Sequence, residues 1–207
     1  MNFCVKMEKN NEREYYENMW ENCKLSEVGC KSQYPVKAIE ELLNFVGIPL
    51  ENEIALDLGC GFGRHIKLLL EKGYSTIGAD FSLSALKKIK ENFPSVKTIN
   101  CEATDISLSS SSVDLVLDSG CLHHIHPDFF YKYEQELSRI IKPEKHLIFY
   151  EFQVRDGKTQ NWEGEHFTKY FTENELKQLF KNWKFICFDS VIGETGKPYW
   201  AGLLRKI

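Results

Sequence analysis

The chain has 207 residues, 43% of them hydrophobic and 27% charged, a balance that suits one globular domain with a substantial buried core over 1–207. A net charge of −4 supplies no global field for nucleic acid, which leaves an RNA or DNA acceptor unsupported by composition. Seven scattered cysteines (4, 23, 30, 60, 101, 121 and 187) contain no C-x-x-C pair, which argues against a disulfide framework or zinc site. No apolar run reaches membrane-spanning length and the N-terminus lacks a signal-peptide core, so a cytoplasmic location without membrane contact is expected.

Tyr15, Tyr16, Met19 and Trp20 recur at helical spacing and predict an amphipathic helix from Asn10 to about Asn22. A loop with Gly29 and Pro35 follows. Ile39, Leu42, Leu43 and Val46 then share one face of a second helix from about Val36. Together residues 1–48 are expected to form a helical cap over a ligand cleft. Beyond them, Ile54–Leu58, Ser75–Ala79, Val96–Asn100, Val113–Leu117 and His146–Phe152 are short apolar runs that suit strands buried on both faces. Helical patterns cover about Gly63–Lys72, Ser82–Asn92 and Phe129–Ile141. Thr172 and Glu175 form a capping-box signal for a helix to about Lys181, and Lys184–Val191 and Tyr199–Arg205 read as two strands joined by a hairpin-type connection. The alternation of strand and helix marks an α/β protein.

The segment Leu56-Asp57-Leu58-Gly59-Cys60-Gly61-Phe62-Gly63-Arg64 is the most informative. A buried strand runs into glycines at alternate positions and then a helix, which lets backbone approach a ligand closely. Asp80 ends the next strand-like run 23 residues after Asp57, where an acid suits a ribose diol. A dinucleotide loop needs glycine where Arg64 stands, and Asp57 would repel a pyrophosphate. A carboxylate there attracts an ammonium, and S-adenosylmethionine (SAM) carries one together with a sulfonium and no phosphate.

On these residues the chain resembles the class I SAM-dependent methyltransferases, over about Ala38 to Arg205. The resemblance implies a three-layer α/β/α sandwich, with a mostly parallel, seven-stranded Rossmann-like sheet and an antiparallel terminal strand. It also implies SAM as cofactor and S-adenosylhomocysteine (SAH) as product. Asp57, Gly59, Cys60, Gly61 and Gly63 would hold the methionine end, Asp80 with Ser82 the ribose, and Phe81, Glu102, Ala103 and Thr104 the adenine. Asp105 reads as a turn residue rather than a ligand. After the fourth strand, Asp118-Ser119-Gly120-Cys121-Leu122-His123-His124-Ile125 resembles the family's "LHHI" loop beside the methyl group. There His124 supports the loop and the cofactor, while His123 and Asp118 are expected to face substrate, Asp118 also contacting cofactor.

Methyl transfer needs orientation, exclusion of water, and a base when the nucleophile is protonated; a neutral His123 would supply that base. Glu151, at the end of the fifth strand, is a third catalytic candidate because an acid is rarely buried without a task. Cys121-x-His123-His124-x-His126 is too crowded for one tetrahedral metal, and no metal is expected. Cys60 and Cys121 read as space-fillers. Tyr15, Tyr16 and Trp20 are either a lid or plain packing. The segment 160–167 is expected as a polar substrate-selecting loop. Lys169–Leu176 is similar to the F-T-x-x-E-L lead-in of tellurite-resistance and thiopurine methyltransferases, and Lys142-Pro143-Glu144-Lys145 departs from the family's Pro-Gly-Gly turn.

The reading is therefore a methyltransferase for a small-molecule acceptor, monomer or dimer. The alternatives are a protein or RNA acceptor, a non-catalytic SAM-binding protein, or a nicotinamide oxidoreductase, which Arg64 and Asp57 disfavour.

Overall fold

The computed structural model describes residues 2–22, 34–163 and 166–207. Cys23, Cys30, the loop at Gly29, the residue pair 164–165 and the side chain of Cys4 lie outside the described residues. The elements in order are helices α1 (Asn2–Asn22) and α2 (Lys37–Val46), strand β1 (Ile54–Leu58), α3 (Ile66–Glu71), β2 (Ser75–Asp80), α4 (Leu83–Asn92), β3 (Lys97–Asn100) and β4 (Val113–Ser119). Then come α5 (Phe130–Ile140), β5 (Ile141–Phe152), β6 (Gln160–Glu163), β7 (His166–Lys169), α6 (Glu173–Leu179), β8 (Trp183–Ile192) and β9 (Pro198–Lys206).

Seven strands form one sheet in the order β3-β2-β1-β4-β5-β9-β8. The pairs from β3 to β5 are parallel, and β9 runs antiparallel to both its neighbours. This is the three-layer, mostly parallel sheet with an antiparallel C-terminal strand expected from the sequence. Ile39 and Leu43 of α2 and Leu68 and Leu69 of α3 cover one face, against Ala55, Leu115 and Ile148. Tyr133, Leu137 and Ile140 of α5, with Leu176 and Phe180 around α6, cover the other, against Leu56, Val116 and Leu147. The crossover from β1 to β2 therefore turns at the carboxyl end of β1, where β4 also ends beside it. That opening between strand ends is where an open α/β sheet places its ligand.

Several local expectations need correction. α2, expected over the cleft, packs on the sheet in the sandwich layer, and residues of α1 line the cleft. α3 is only six residues long, because Gly61 and Gly63 both take positive φ and the chain must turn until Ile66 before it can coil. The 160–167 segment contains two antiparallel strands, β6 and β7, with Trp162 opposite Phe167. At the missing glycine turn, Glu144 itself adopts φ of 63°, and β5 starts five residues earlier than the apolar run suggested. The capping box is present: Thr172 accepts from the Glu175 amide and Glu175 accepts from the Thr172 amide, 2.8 Å away. No described helix is long and apolar enough to cross a membrane.

Candidate functional site

A cleft of about 580 Å³ opens at the carboxyl ends of β1, β2 and β4. Its floor is the glycine turn. Gly59 and Cys60 both donate their amides to the Ala79 carbonyl, at 2.8 and 3.0 Å, folding the chain back onto β2. Gly59 (φ 69°) and Gly61 (φ 50°) take a conformation that a Cβ opposes. They also lack the room for one, since a Cβ would meet Cys121 Cβ at 2.8 Å and the Trp20 ring at 2.7 Å respectively. Gly63 stands outside the cleft: a Cβ there would strike Ile89 at 2.5 Å, so its contribution is the seating of α3 on α4 rather than a ligand contact.

Two carboxylates face the cleft above this floor. Asp80 Oδ2 accepts from the Gly61 amide and Oδ1 from the Ser82 amide, both at 2.9 Å. Burial nonetheless pushes its carboxyl up to about 6 against those amides. Burial, then the nearby Asp80 and Asp118, raise Asp57 to about 8, and its buried Oδ2 has no hydrogen-bond partner among the described residues. An orphaned acid oxygen beside a second acid is a site that a cationic group completes. The donor set therefore fits a ligand that brings an ammonium to Asp57 and hydroxyls to Asp80. Ser82, by contrast, is fully buried and outside the cleft wall; its hydroxyl caps α4 by accepting from the Ala85 amide at 3.1 Å. Cys60 lines the floor, its thiol raised by burial.

Phe81, Glu102, Ala103 and Thr104 line the neighbouring wall, whereas Asp105 is an exposed turn residue whose amide donates to the Glu102 carbonyl. Sequence reading missed what holds this wall. Arg13 of α1 donates to Glu102 Oε1 at 2.7 Å and to the Phe81 carbonyl at 3.0 Å. Glu17, one helical turn on, accepts from the Ser82 hydroxyl and from the Leu83 and Ser84 amides, so α1 supplies the anionic cap of α4. On the opposite bank Glu12 pairs with His166 Nδ1 at 3.1 Å and accepts from the Phe167 amide. α1 is thus bonded to both sides of the cleft. Tyr16 lies edge-on to Phe81, His124 and His166, and Trp20 sits on Gly61 beside Phe62. The aromatic stripe carried the signal for this helix; the charged residues interleaved with it gave none.

The loop after β4 departs most from expectation. Asp118 is fully buried and does not face the cleft. Its oxygens accept from the Cys121 amide at 2.7 Å, the Leu122 amide at 3.1 Å and the Tyr133 hydroxyl at 2.5 Å, so it fastens the loop instead of touching substrate or cofactor. Glu151 is equally enclosed, and it too fails to reach the cleft because His123 stands in front of it. Glu151 Oε2 accepts from the His123 amide at 3.1 Å and lies 2.7 Å from His123 Nδ1. His123 lines the cleft with its ring packed on Phe152, and with Nδ1 engaged, Nε2 is the nitrogen left for a ligand. His124 also lines the cleft and donates through Nδ1 to the Phe167 carbonyl at 2.9 Å, while His126 receives the Asp128 amide. The three imidazoles are held by three separate partners.

Burial opposes charge on the Glu–His pair from both ends. It raises Glu151 to about 8 and, helped by the nearby His166, lowers His123 to about 3. The pair is therefore neutral below about 8, with one proton on the carboxyl and one on the imidazole, and a single proton leaves it as pH rises. Its loss leaves Nδ1–H on the carboxylate and a free lone pair on Nε2 at the cleft. Further along, Tyr150, Phe152, Tyr170, Tyr199, Trp162 and Arg155 form the far wall, and Arg155 is another residue that the sequence gave no reason to single out.

The family described as a methyltransferase domain matches residues 55–144, the stretch holding the glycine turn, Asp80 and the His123 loop. The human tRNA N(3)-cytidine methyltransferase METTL6 is 28% identical over 149 residues, 60% of this chain and 52% of that protein. An uncharacterised methyltransferase of Schizosaccharomyces pombe is 27% identical over 143 residues, 66% of this chain and 99% of its own length. The chain thus spans about half of the human relative and nearly all of the yeast one. Among solved structures, Burkholderia thailandensis 1,6-didemethyltoxoflavin-N1-methyltransferase, with its substrate and SAH bound, superposes with a TM-score of 0.69 at 22% identity, over 82% of this chain and 76% of that one. At that identity the likeness shows the fold.

Proposed function

The chain belongs to the class I, Rossmann-like SAM-dependent methyltransferases, and from that premise we propose that it methylates a small molecule whose protonated nucleophile is held at His123. SAM supplies a methyl carbon already activated by a sulfonium, which becomes a neutral thioether when the methyl leaves. The protein's share is to orient, to exclude water and to take a proton. In the proposed arrangement Asp57 meets the ammonium through its orphaned oxygen and Asp80 the ribose, with Phe81, Glu102, Ala103 and Thr104 around the adenine. α1 closes the cleft over the ligands, as a cap made of one helix. His123 Nε2 accepts the acceptor's proton, and Glu151 is a positioning residue that fixes Nδ1–H and so the tautomer.

The observation that carries this reading is the His123–Glu151 pair opening onto the same cleft as Asp57 and Asp80. Support for a small acceptor comes from the enclosure: α1 on one side and β7 on the other meet across the cleft through Glu12, which leaves room on the scale of a cofactor and one small ligand. A tRNA acceptor is the second reading, favoured by the name of the human relative.

Calorimetric titration with SAM and SAH tests the premise, with micromolar binding of both expected. Transfer of labelled methyl is then compared between small phenols, amines and thiols on one side and bulk tRNA on the other. Label in the small molecules supports the proposal; label in tRNA alone replaces it with the second reading. Absence of SAM and SAH binding would overturn both.

A further inference from the structure

The far wall of the cleft holds a cation whose environment is incomplete. The Arg155 guanidinium lies 4.8 Å from the centre of the Tyr170 ring and 5.5 Å from that of Phe152, and one of its nitrogens donates to the Tyr170 hydroxyl at 3.1 Å. Its other terminal nitrogen, Nη1, is buried without a hydrogen-bond partner among the described residues, and no described carboxylate pairs with Arg155. The remaining arginines of the cleft differ: Arg13 is paired with Glu102 and Arg64 with Glu194. A buried guanidinium N–H left unmade is costly, and a carboxylate is the group that satisfies it best, through a two-point, charge-assisted contact.

The surroundings specify more than charge. Phe152 is the shared neighbour of both reactive ends, its ring 4.2 Å from that of His123 and 5.5 Å from the Arg155 guanidinium carbon. Both polar groups therefore pack against the same ring. Tyr199 stacks on Phe152 at 4.9 Å, and Tyr170 and Trp162 complete an aromatic enclosure that favours a flat ligand.

Resting on the methyltransferase reading, we propose that the acceptor is a small planar carboxylic acid. Its carboxylate is held by Arg155 and its ring lies along Phe152 and Tyr199. Its protonated nucleophile, a phenolic hydroxyl or an equivalent group, sits at His123 Nε2. Arg155 is then the residue that selects acids over neutral analogues.

The test is a calorimetric comparison of two isosteric probes, 4-hydroxybenzoate and 4-hydroxybenzamide, on the full chain saturated with SAH. The acid should bind at least tenfold more tightly than the amide. Arg155→Gln should erase that preference while SAH affinity stays within twofold, and Arg155→Lys should retain part of it. If the glutamine variant also loses SAH binding, the lysine variant decides, and a lysine variant blind to charge overturns the assignment. Binding of SAH with no preference for the acid, whether both probes bind equally or neither binds, overturns the proposal and leaves the methyltransferase reading standing. Failure of SAH itself to bind the wild-type chain would instead remove that reading, and this proposal with it.

Discussion

The wall of the cleft along β1 and β2 is made of backbone, whereas the wall at the ends of β5, β7 and β9 is made of side chains. On the first, two glycines at positive φ, the Ala79 carbonyl and the Gly61 and Ser82 amides fix the shape, and Asp57 and Asp80 are the acids that line it. On the second, the rings of Phe152, Tyr170 and Tyr199, the His123–Glu151 pair and Arg155 define the surface. A backbone wall cannot be altered residue by residue without moving the chain. A side-chain wall can be rebuilt by single substitutions while the sheet beneath stays in place. Under the proposed function, cofactor recognition falls to the first and acceptor choice to the second.

The largest effect should come from the side-chain wall. His123→Gln is expected to lower turnover by about 10²–10⁴-fold, the usual worth of a general base, with SAH affinity nearly unchanged. Glu151→Gln should act through the tautomer: wild-type kcat should climb with pH towards about 8 as the pair gives up its proton, and the variant should lose that climb. A pH–rate profile unaltered by Glu151→Gln would make the acid a structural residue. Across the cleft, Asp80→Asn should weaken SAH binding by about 2–3 kcal/mol, the range for hydrogen bonds to a charged group. Loss of folding without a specific binding defect would show instead that the amides of Gly61 and Ser82 are its main partners.

A smaller effect concerns pH. Asp57 has a folded-state pKa near 8, far above the ordinary 3.8, so the folded protein keeps a proton that the unfolded chain loses. The contribution of Asp57 to stability should therefore fall as pH rises from about 4 to 8, and the difference between melting series of the wild type and Asp57→Asn should show it. A cationic ligand favours the ionised carboxyl, so binding at pH 7 should release a proton, detectable as a dependence of binding heat on buffer ionisation enthalpy. Asp57→Asn should lessen that release; unchanged slopes in both series would exonerate Asp57. The smallest effect is expected at Glu12→Ala, which removes a partly exposed ion pair and one amide acceptor at a cost of about 1 kcal/mol. SAH should dissociate several-fold faster, and an unchanged off-rate would mean that α1 does not control access.

The contrast between walls also explains what could be read in the sequence. Glycine at positions 59 and 61 and acids at 57 and 80 are demanded by backbone geometry and charge, so they left a spacing that identifies the cofactor half. The sheet was equally legible, because strands buried on both faces must be continuous apolar runs. Asp118 and Glu151 were misplaced because an acid at a strand end reads the same whether it points at a ligand or, as here, at the amides and the imidazole of the loop after β4. Arg13, Glu12 and Glu17 were invisible because their partners lie far away in sequence: Arg13 meets Glu102 across 89 residues and Glu12 meets His166 across 154. No periodicity records such pairings. The β6–β7 pair was hidden for another reason, since four-residue strands rich in polar side chains differ little from loops.

Glu17 lends its carboxylate to the first turn of α4, whose preceding residue Ser82 also donates an amide to Asp80. Were α1 to lift away, the leading amides of α4 would lose their anion and Asp80 would lose a firmly seated neighbour. Opening and loss of affinity then share one free energy, so that a ligand tightens the helix over itself by the same factor that the docked helix tightens the ligand. Hydrogen exchange at the Leu83 and Ser84 amides would read this directly: SAH should slow it in the wild type, and Glu17→Gln should diminish both the slowing and the affinity. Exchange indifferent to SAH would uncouple the two. Glu17→Gln should then speed SAH dissociation although Glu17 lies outside the cleft lining and 65 residues in sequence from the serine it holds.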